Sequence, residues 1–241
     1  TDSVLAYDRV DTSMYENPAY QLNGRGLAAG MVFDVPVADT LTAISVGWTS
    51  AFTDQTIGLY VYHWDRESAS LGSLIHGMSV SKGLASGQTE YPLPALLLSP
   101  GSYMIAVSFS GYALVSDMQP LDAIYLISDG QAYLQTGGLG YAAIRGVFGT
   151  GTPVAKDVMV ESFLSPGESG LFSANEEVRI KVRNLGYETV SFPLSLRVDE
   201  NVSTQTVELD GYGSGEVVFT ADLSRTETVY SLRAVAALDG D

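Results

Sequence analysis

The 241-residue chain holds 28 acidic against 12 basic residues, a net charge of −16, and has an isoelectric point near 4.3. Its Lys and Arg are scattered without a cluster, so the field opposes phosphate backbones and excludes nucleic acid as an expected partner. Cysteine is absent, which removes thiolate nucleophiles, disulfides and cysteine-ligated zinc or iron–sulfur centres.

No apolar run approaches the roughly 20 residues that span a bilayer, so no transmembrane segment is expected. Gly, Ser, Thr, Val and 14 Tyr with no long run of helix formers point to an all-β protein. Thr1 stands where an initiator methionine would, which suggests a mature or trimmed product, with any signal peptide already removed.

In chain order, residues 4–10 read as a first strand, and 11–23 as a polar stretch with Tyr15 and Tyr20 as anchors. Residues 24–30, GRGLAAG, carry the glycine spacing of a phosphate-cradling loop, but a strand at 31–35 follows where a helix is required, so a flexible turn or bulge between strands is the reading kept. Residues 41–48 and 57–64 alternate with period two and are expected to pair as a long-looped hairpin. A Ser/Gly-rich passage from 65 to 90 holds a short strand at 72–80 and a loop at 83–89. Short apolar strands follow at 93–98 and 103–109, the second expected to be central. Residues 123–128 and 131–135 flank an Asp129-Gly130 turn, a strong hairpin signal, and 141–148 closes the pattern.

Some nine strands in about 150 residues make a sandwich or jelly roll the economical fold of residues 1–150. The run Gly149-Thr150-Gly151-Thr152-Pro153 forms no core and marks a domain boundary. Residues 154–241 then show strands at 157–163, 203–209, 215–221 and 229–238. Between them lies EEVRIKVRNLGYETVSFPLSLRVD, read as a hairpin turning at 184–187, with Pro193 placing its second strand at a sheet edge or a bulge. A smaller immunoglobulin-like sandwich fits this count. The fold class expected is therefore all-β, with two β-sandwich domains.

The second domain resembles the cell-adhesion-related domain of bacteria, an immunoglobulin-like module. The resemblance rests on Asp157-Val158 with Pro166, Glu177-Val178, Val182-Arg183-Asn184-Leu185-Gly186, Leu196-Arg197-Val198-Asp199 and Tyr230-Ser231-Leu232-Arg233-Ala234. It covers about a third of the chain, and the N-x-G turn is its most specific feature. The first domain is similar to jelly-roll modules that precede such repeats, through Leu41-Thr42-Ala43-Ile44-Ser45-Val46 and Gly58-Leu59-Tyr60-Val61-Tyr62. These resemblances imply a secreted or surface protein of Bacteroidetes type, a spacer or adhesive second domain without catalytic residues, and further domains elsewhere in the protein.

Tyr60, Tyr62 and Trp64 alternate along one strand and are the candidate ligand-binding residues, as a platform that could stack on sugar rings. The opposite face of that strand carries Ile57, Leu59 and Val61, and packing of the aromatic stripe against a loop or the second domain is the other reading. His63 and His76, with Asp65 and Glu67, lack a third metal ligand or a defined acid/base spacing. Gly211-Tyr212-Gly213-Ser214-Gly215 departs from the nucleophile-turn spacing and reads as a turn. Glu176 with Glu177 and Asp199 with Glu200 sit at strand ends, where solvated acids are ordinary.

No catalytic or metal residue and no cofactor is therefore expected. Calcium alone could be held, by oxygen-rich loops at Asp8 and Asp11 or at Asp117 and Asp122, although no D-x-[DN]-x-[DN]-G loop occurs. The expectation is a noncatalytic extracellular adhesion or binding protein whose first domain contacts a glycan or protein ligand. The alternative is an accessory noncatalytic region of a secreted peptidase or glycan-degrading enzyme.

Overall fold

The computed structural model describes residues 3–5, 20–21, 28–48, 55–82, 87–109, 113–114, 124–135 and 142–238. Among them the chain is all-β, with antiparallel sheets in two compact units, Thr1–Pro153 and Val154–Asp241. No helix among the described residues is long and apolar enough to cross a membrane.

The strands of the first unit are β1 (Ser3–Leu5), β2 (Tyr20–Gln21), β3 (Ala28–Val35), β4 (Asp39–Trp48), β5 (Gln55–Asp65), β6 (Ser70–Lys82), β7 (Gly87–Leu98), β8 (Gly101–Ser108), β9 (Ala113–Leu114), β10 (Tyr125–Ser128), β11 (Gln131–Leu134) and β12 (Ile144–Phe148). One sheet runs β1-β12-β4-β9-β2 with β7 also on β4, and the other runs β11-β10-β3-β8-β5-β6. Residues 41–48 and 57–64 thus lie in different sheets, and the expected hairpin between them is replaced by a crossing from one layer to the other. Period-two alternation fixes which side chains face the core, but a strand in either layer satisfies it equally.

In the second sheet Met31 of β3 and Val61 of β5 both pair with Ile105 of β8, so this central strand presents Ile105 and its odd-numbered neighbours to the inter-sheet core. Phe33 reaches across that core to Phe148 of β12, ring centroids 6.2 Å apart. Trp48 is fully buried, donates from Nε1 to the Tyr91 hydroxyl at 3.0 Å and packs edge-on against Phe109. Asp129 and Gly130 both take positive φ, which closes the β10–β11 hairpin with the twist that such a pair favours.

The Ser/Gly-rich passage is more regular than its composition suggests. β6 is a strand of 13 residues along β5, from Gln55↔Lys82 to Asp65↔Ser70, with irregularities on either side of Tyr62. β7 begins at Gly87, within the stretch expected to be a loop, and pairs with β4 among the described strands; as an edge strand it accommodates Pro92 and Pro94. The remainder of the 4–10 strand, the 11–19 stretch and the 24–27 turn lie outside the described residues.

The second unit holds β13 (Val158–Ser165), β14 (Glu176–Asn184), β15 (Val190–Val198), β16 (Asn201–Leu209), β17 (Ser214–Ala221) and β18 (Leu232–Ala236). β14 is central in a sheet β13-β14-β17, and β15 is central in a sheet β16-β15-β18. The expected hairpin of β14 with β15 is therefore an arch between facing sheets. Val178, Ile180 and Val182 enter the shared core from one side, and Phe192, Leu194, Leu196 and Val198 enter it from the other.

Asn184 is what turns the chain out of its sheet. Its side chain is wholly buried. Nδ2 donates to the carbonyls of Glu188 at 2.7 Å and Asp210 at 2.9 Å, while Oδ1 accepts from Gly186 N at 2.9 Å. The backbone around it pairs outward, with Leu185 N on Asp157 O, Glu188 N on Ala155 O and Tyr212 N on Gly186 O. A two-strand turn leaves no such set of buried partners, and these bonds commit the segment to an arch. The N-x-G turn, quoted above as the most specific feature of the resemblance, thus has a local physical role.

Pro193 sits in a central strand, not at an edge or a bulge. Its carbonyl accepts from Ala237 N at 3.1 Å, and a strand residue directs N and C=O to the same side, so its nitrogen faces the β18 side. The β18 ladder ends at Ala236 opposite Leu194, so the missing N–H falls beyond the last pair.

Candidate functional site

The outer face of the β11-β10-β3-β8-β5-β6 sheet holds the aromatic stripe. The sheet curls until its two edge strands, β11 and β6, have Cα atoms within 8 Å of each other. A second apolar cluster lies in the resulting concavity. Ala28, Trp64, Met104, Ala106 and Ile127 are buried there, and Val32, Tyr60, Tyr62, Leu71, Tyr125 and Ala132 are partly buried against them. Both faces of β5 are thus covered, which accounts for its apolar character on both sides.

Glycines make room for the rings. Gly77 lies opposite Tyr60 in the ladder, and a Cβ there would stand 3.1 Å from Tyr60 Cδ1. On β3, a Cβ at Gly30 would stand 2.6 Å from the Met104 sulfur. A β-branched residue at either place would displace the side chains that fill the concavity.

The stripe is not one flat platform. Trp64 is 7% exposed and meets the Tyr125 ring edge-on at 4.8 Å. Tyr60 and Tyr62 are half-buried, with centroids 6.2 Å apart and planes inclined by 33°. Partial burial, reinforced by Tyr60, raises the pKa of the Tyr62 phenol, which keeps it a neutral O–H donor. The arrangement offers two tilted rings with polar tips, suited to an amphipathic ligand surface.

The other candidates have structural partners. His63 is exposed, its ring 5.3 Å from that of Tyr103, and desolvation on that side lowers its pKa. His76 lies opposite Val61 rather than beside His63. Asp65 Oδ1 accepts from Glu67 N at 2.8 Å and Ser68 N at 3.2 Å, so this carboxylate closes the β5–β6 turn. Glu176 receives Ser173 N and Oγ, and Glu177 pairs with Arg179 at 2.6 Å. Asp199 takes Ser231 N at 2.9 Å and Arg225 at 3.1 Å, and Glu200 faces Arg197 at 3.4 Å. Ser214 opens β17 after a turn in which Gly213 N bonds Asp210 O.

Among the described residues no three His, Asp or Glu converge as a metal set. Asp8, Asp11, Asp117 and Asp122, the calcium candidates, lie outside the described residues.

The sequence reading missed a cavity of about 850 Å³ in the second unit, between residues 166–172 and 223–230. Its apolar lining includes Phe163, Leu171, Phe172, Leu223, Val229 and Tyr230. Leu171 and Val229 are each 95% exposed. The signal was present as single large aliphatics inside otherwise polar loops, GESGLFS and RTETVYS, but one exposed aliphatic is ordinary and only the fold brings the two loops to one cavity.

No family model matches the chain, and no curated protein does. Among solved structures it is similar to a GH2 beta-galacturonidase from Eisenbergiella tayi bound to galacturonate, at 15% identity and a TM-score of 0.27, over 88% of this chain and 34% of that one. A calcium binding mutant of Bacteroides uniformis beta-glucuronidase 2 gives 8% identity and a TM-score of 0.24, over 98% of this chain and 32% of that one. The chain spans about a third of the length of each. Scores this low mark neither a shared fold nor a shared activity.

Proposed function

We propose that this chain is a noncatalytic binding region of a secreted or surface-exposed bacterial protein, in which the first unit contacts a glycan and the second, of cell-adhesion-related type, acts as a spacer. The observation that supports it is the pair of half-buried rings, Tyr60 and Tyr62, at the concave face of the curled sheet. Tilted rings in a concave face can lie against the apolar faces of sugar rings while phenol hydroxyls reach sugar hydroxyls. The acidic net charge favours neutral or cationic glycans over anionic ones.

The test is glycan-array binding of the intact chain beside Tyr60→Ala and Tyr62→Ala variants whose circular dichroism matches the parent. Trp64 is left unchanged, because its buried ring supports the cluster and its removal would unfold the face. Binding to a glycan class by the parent, weakened roughly tenfold or more in either variant, is the result expected for loss of a central aromatic anchor. Retention of full binding by both folded variants would refute the tyrosine face as the site.

A further inference from the structure

The cavity of the second unit has a lining that a passive spacer does not require. Isolated exposed aliphatics are common, but Leu171 and Val229 are almost fully exposed at a single cavity already floored by buried Leu223 and half-buried Leu232. The volume, about 850 Å³, lies in the range of sites that enclose small ligands or side chains.

Charge narrows the occupant. Of the charged residues at the cavity, Arg225 is already engaged: its guanidinium bonds Asp199 at 3.1 Å and lies 5.1 Å from the centroid of the Tyr230 ring. Glu168 and Glu227 also line the cavity, are exposed, and form no ion pair or hydrogen bond among the described residues. The rim is therefore anionic around an apolar floor.

A sugar fits this arrangement poorly. The guanidinium covers one face of the Tyr230 ring, and the Tyr230 hydroxyl accepts from Arg225 N at 2.9 Å. The most exposed hydrophobic residues at the cavity, Leu171 and Val229, are aliphatic, without the flat π-faces on which sugars stack, while the lining rings of Phe163 and Phe172 are less exposed.

We infer that the cavity between residues 166–172 and 223–230 is a second binding site, for a polypeptide segment that places aliphatic side chains against Leu171, Val229 and Leu223 and a Lys or Arg beside Glu168 and Glu227. The site is independent of the tyrosine face. It makes the second unit a contact-forming part of the protein as well as a spacer.

The experiment uses the full chain and three synthetic octapeptides, alternating leucine with lysine, serine with lysine, and leucine with glutamate, titrated by fluorescence anisotropy at about 0.15 M salt, where the Debye length is about 8 Å. The serine–lysine peptide measures attraction to the net negative charge alone. The leucine–lysine peptide is expected to bind at least tenfold more tightly than either control, the margin that a filled apolar anchor site gives. Leu171→Ser with Val229→Ser changes no charge and removes only exposed groups; it is expected to bring the leucine–lysine affinity down to the serine–lysine level with unaltered circular dichroism. Glu168→Gln with Glu227→Gln is expected to weaken the same peptide and flatten its salt dependence.

Equal binding of the leucine–lysine and serine–lysine peptides to the parent overturns the inference. So does leucine–lysine binding that the serine double variant leaves intact. Glycan binding lost in the serine double variant but kept in Tyr60→Ala also overturns it, by making the cavity a sugar site. The first two outcomes involve no change at Tyr60 or Tyr62 and leave the glycan proposal standing; the third moves the glycan site to the cavity and counts against the tyrosine face as well.

Discussion

Replacing Asn184 by alanine is expected to destabilise the second unit far more than a surface turn substitution would. The change deletes two donations to backbone carbonyls, at 2.7 and 2.9 Å, and one acceptance from Gly186 N at 2.9 Å, all from a residue with no exposure. Leaving a buried polar group without a partner costs about 1–3 kcal/mol. Three such groups, with some relief from entering water, give a loss of about 3–6 kcal/mol against a total of about 5–15 kcal/mol for a typical domain.

With a urea slope of about 1–1.5 kcal/mol/M for a small domain, the midpoint falls by roughly 2–6 M. Two probes separate the units. Both tryptophans, Trp48 and Trp64, lie in the first unit, so their emission follows that unit, while far-UV circular dichroism follows both. The loss should therefore appear in the dichroism transition that tryptophan emission does not report.

Asn184→Asp sharpens the test. The carboxylate still accepts from Gly186 N but cannot donate, and it turns a negative charge on the Glu188 and Asp210 carbonyls. It should destabilise at pH 7 at least as much as alanine despite its near-identical shape. A loss below about 1 kcal/mol in either variant, within the range of an ordinary substitution, would refute the hub.

Two further outcomes follow from the same geometry. A Cβ at Gly211 would stand 2.6 Å from the Tyr187 carbonyl carbon, so Gly211→Ala should cost on the order of 1–3 kcal/mol, as overpacking against backbone does. Gly167→Ala, with nothing within 4 Å, should leave the dichroism midpoint unchanged, and equal effects from the two would contradict the packing described.

Ser102→Ala tests a pH-dependent contact in the first unit. The Ser102 hydroxyl, donating to Asp34 Oδ1 at 2.6 Å, and then Arg66 hold the Asp34 carboxyl below its ordinary pKa against partial desolvation. A depressed carboxyl contributes stability that is present above the unfolded value of about 4 and lost as pH falls through the folded value. Asp34 is 51% exposed, so the difference between parent and variant should stay under about 1 kcal/mol at pH 7 and be smaller at about pH 3, below the unfolded value, read from the tryptophan midpoint in urea. A difference of the same size at both pH values would refute the linkage.

Alternation alone marked most strands, because a half-buried strand must repeat with period two whatever sheet it joins. It marked β8 as apolar enough to be central, and the Asp129-Gly130 pair marked a turn whose two residues both take positive φ. The Ser/Gly-rich β6 was underestimated. Its long run beside β5 is held by ladder hydrogen bonds that any residue with a free N–H can make, and composition does not register them.

The aromatic stripe shows the same boundary within one strand. Its one-sided alternation was legible, but the depth of each ring was not. Trp64 is buried because β10 brings Tyr125 against it, whereas Tyr60 and Tyr62 remain half-buried farther along the same face. The cavity of the second unit was illegible for a related reason. Leu171 and Val229 are far apart in the chain, and only the closing of the two loops gives their exposure a common place.

The amino-acid order determined that this chain is all-β and which residues alternate along most of its strands, since these depend on local polarity and turn chemistry. Tertiary structure alone decided partnership. β4 and β5, like β14 and β15, have the patterns of hairpins yet belong to opposite sheets, because a strand's apolar face is satisfied by either layer of a sandwich. At Asn184 the choice is made by three buried hydrogen bonds whose partners, Gly186, Glu188 and Asp210, come together only once the arch has formed.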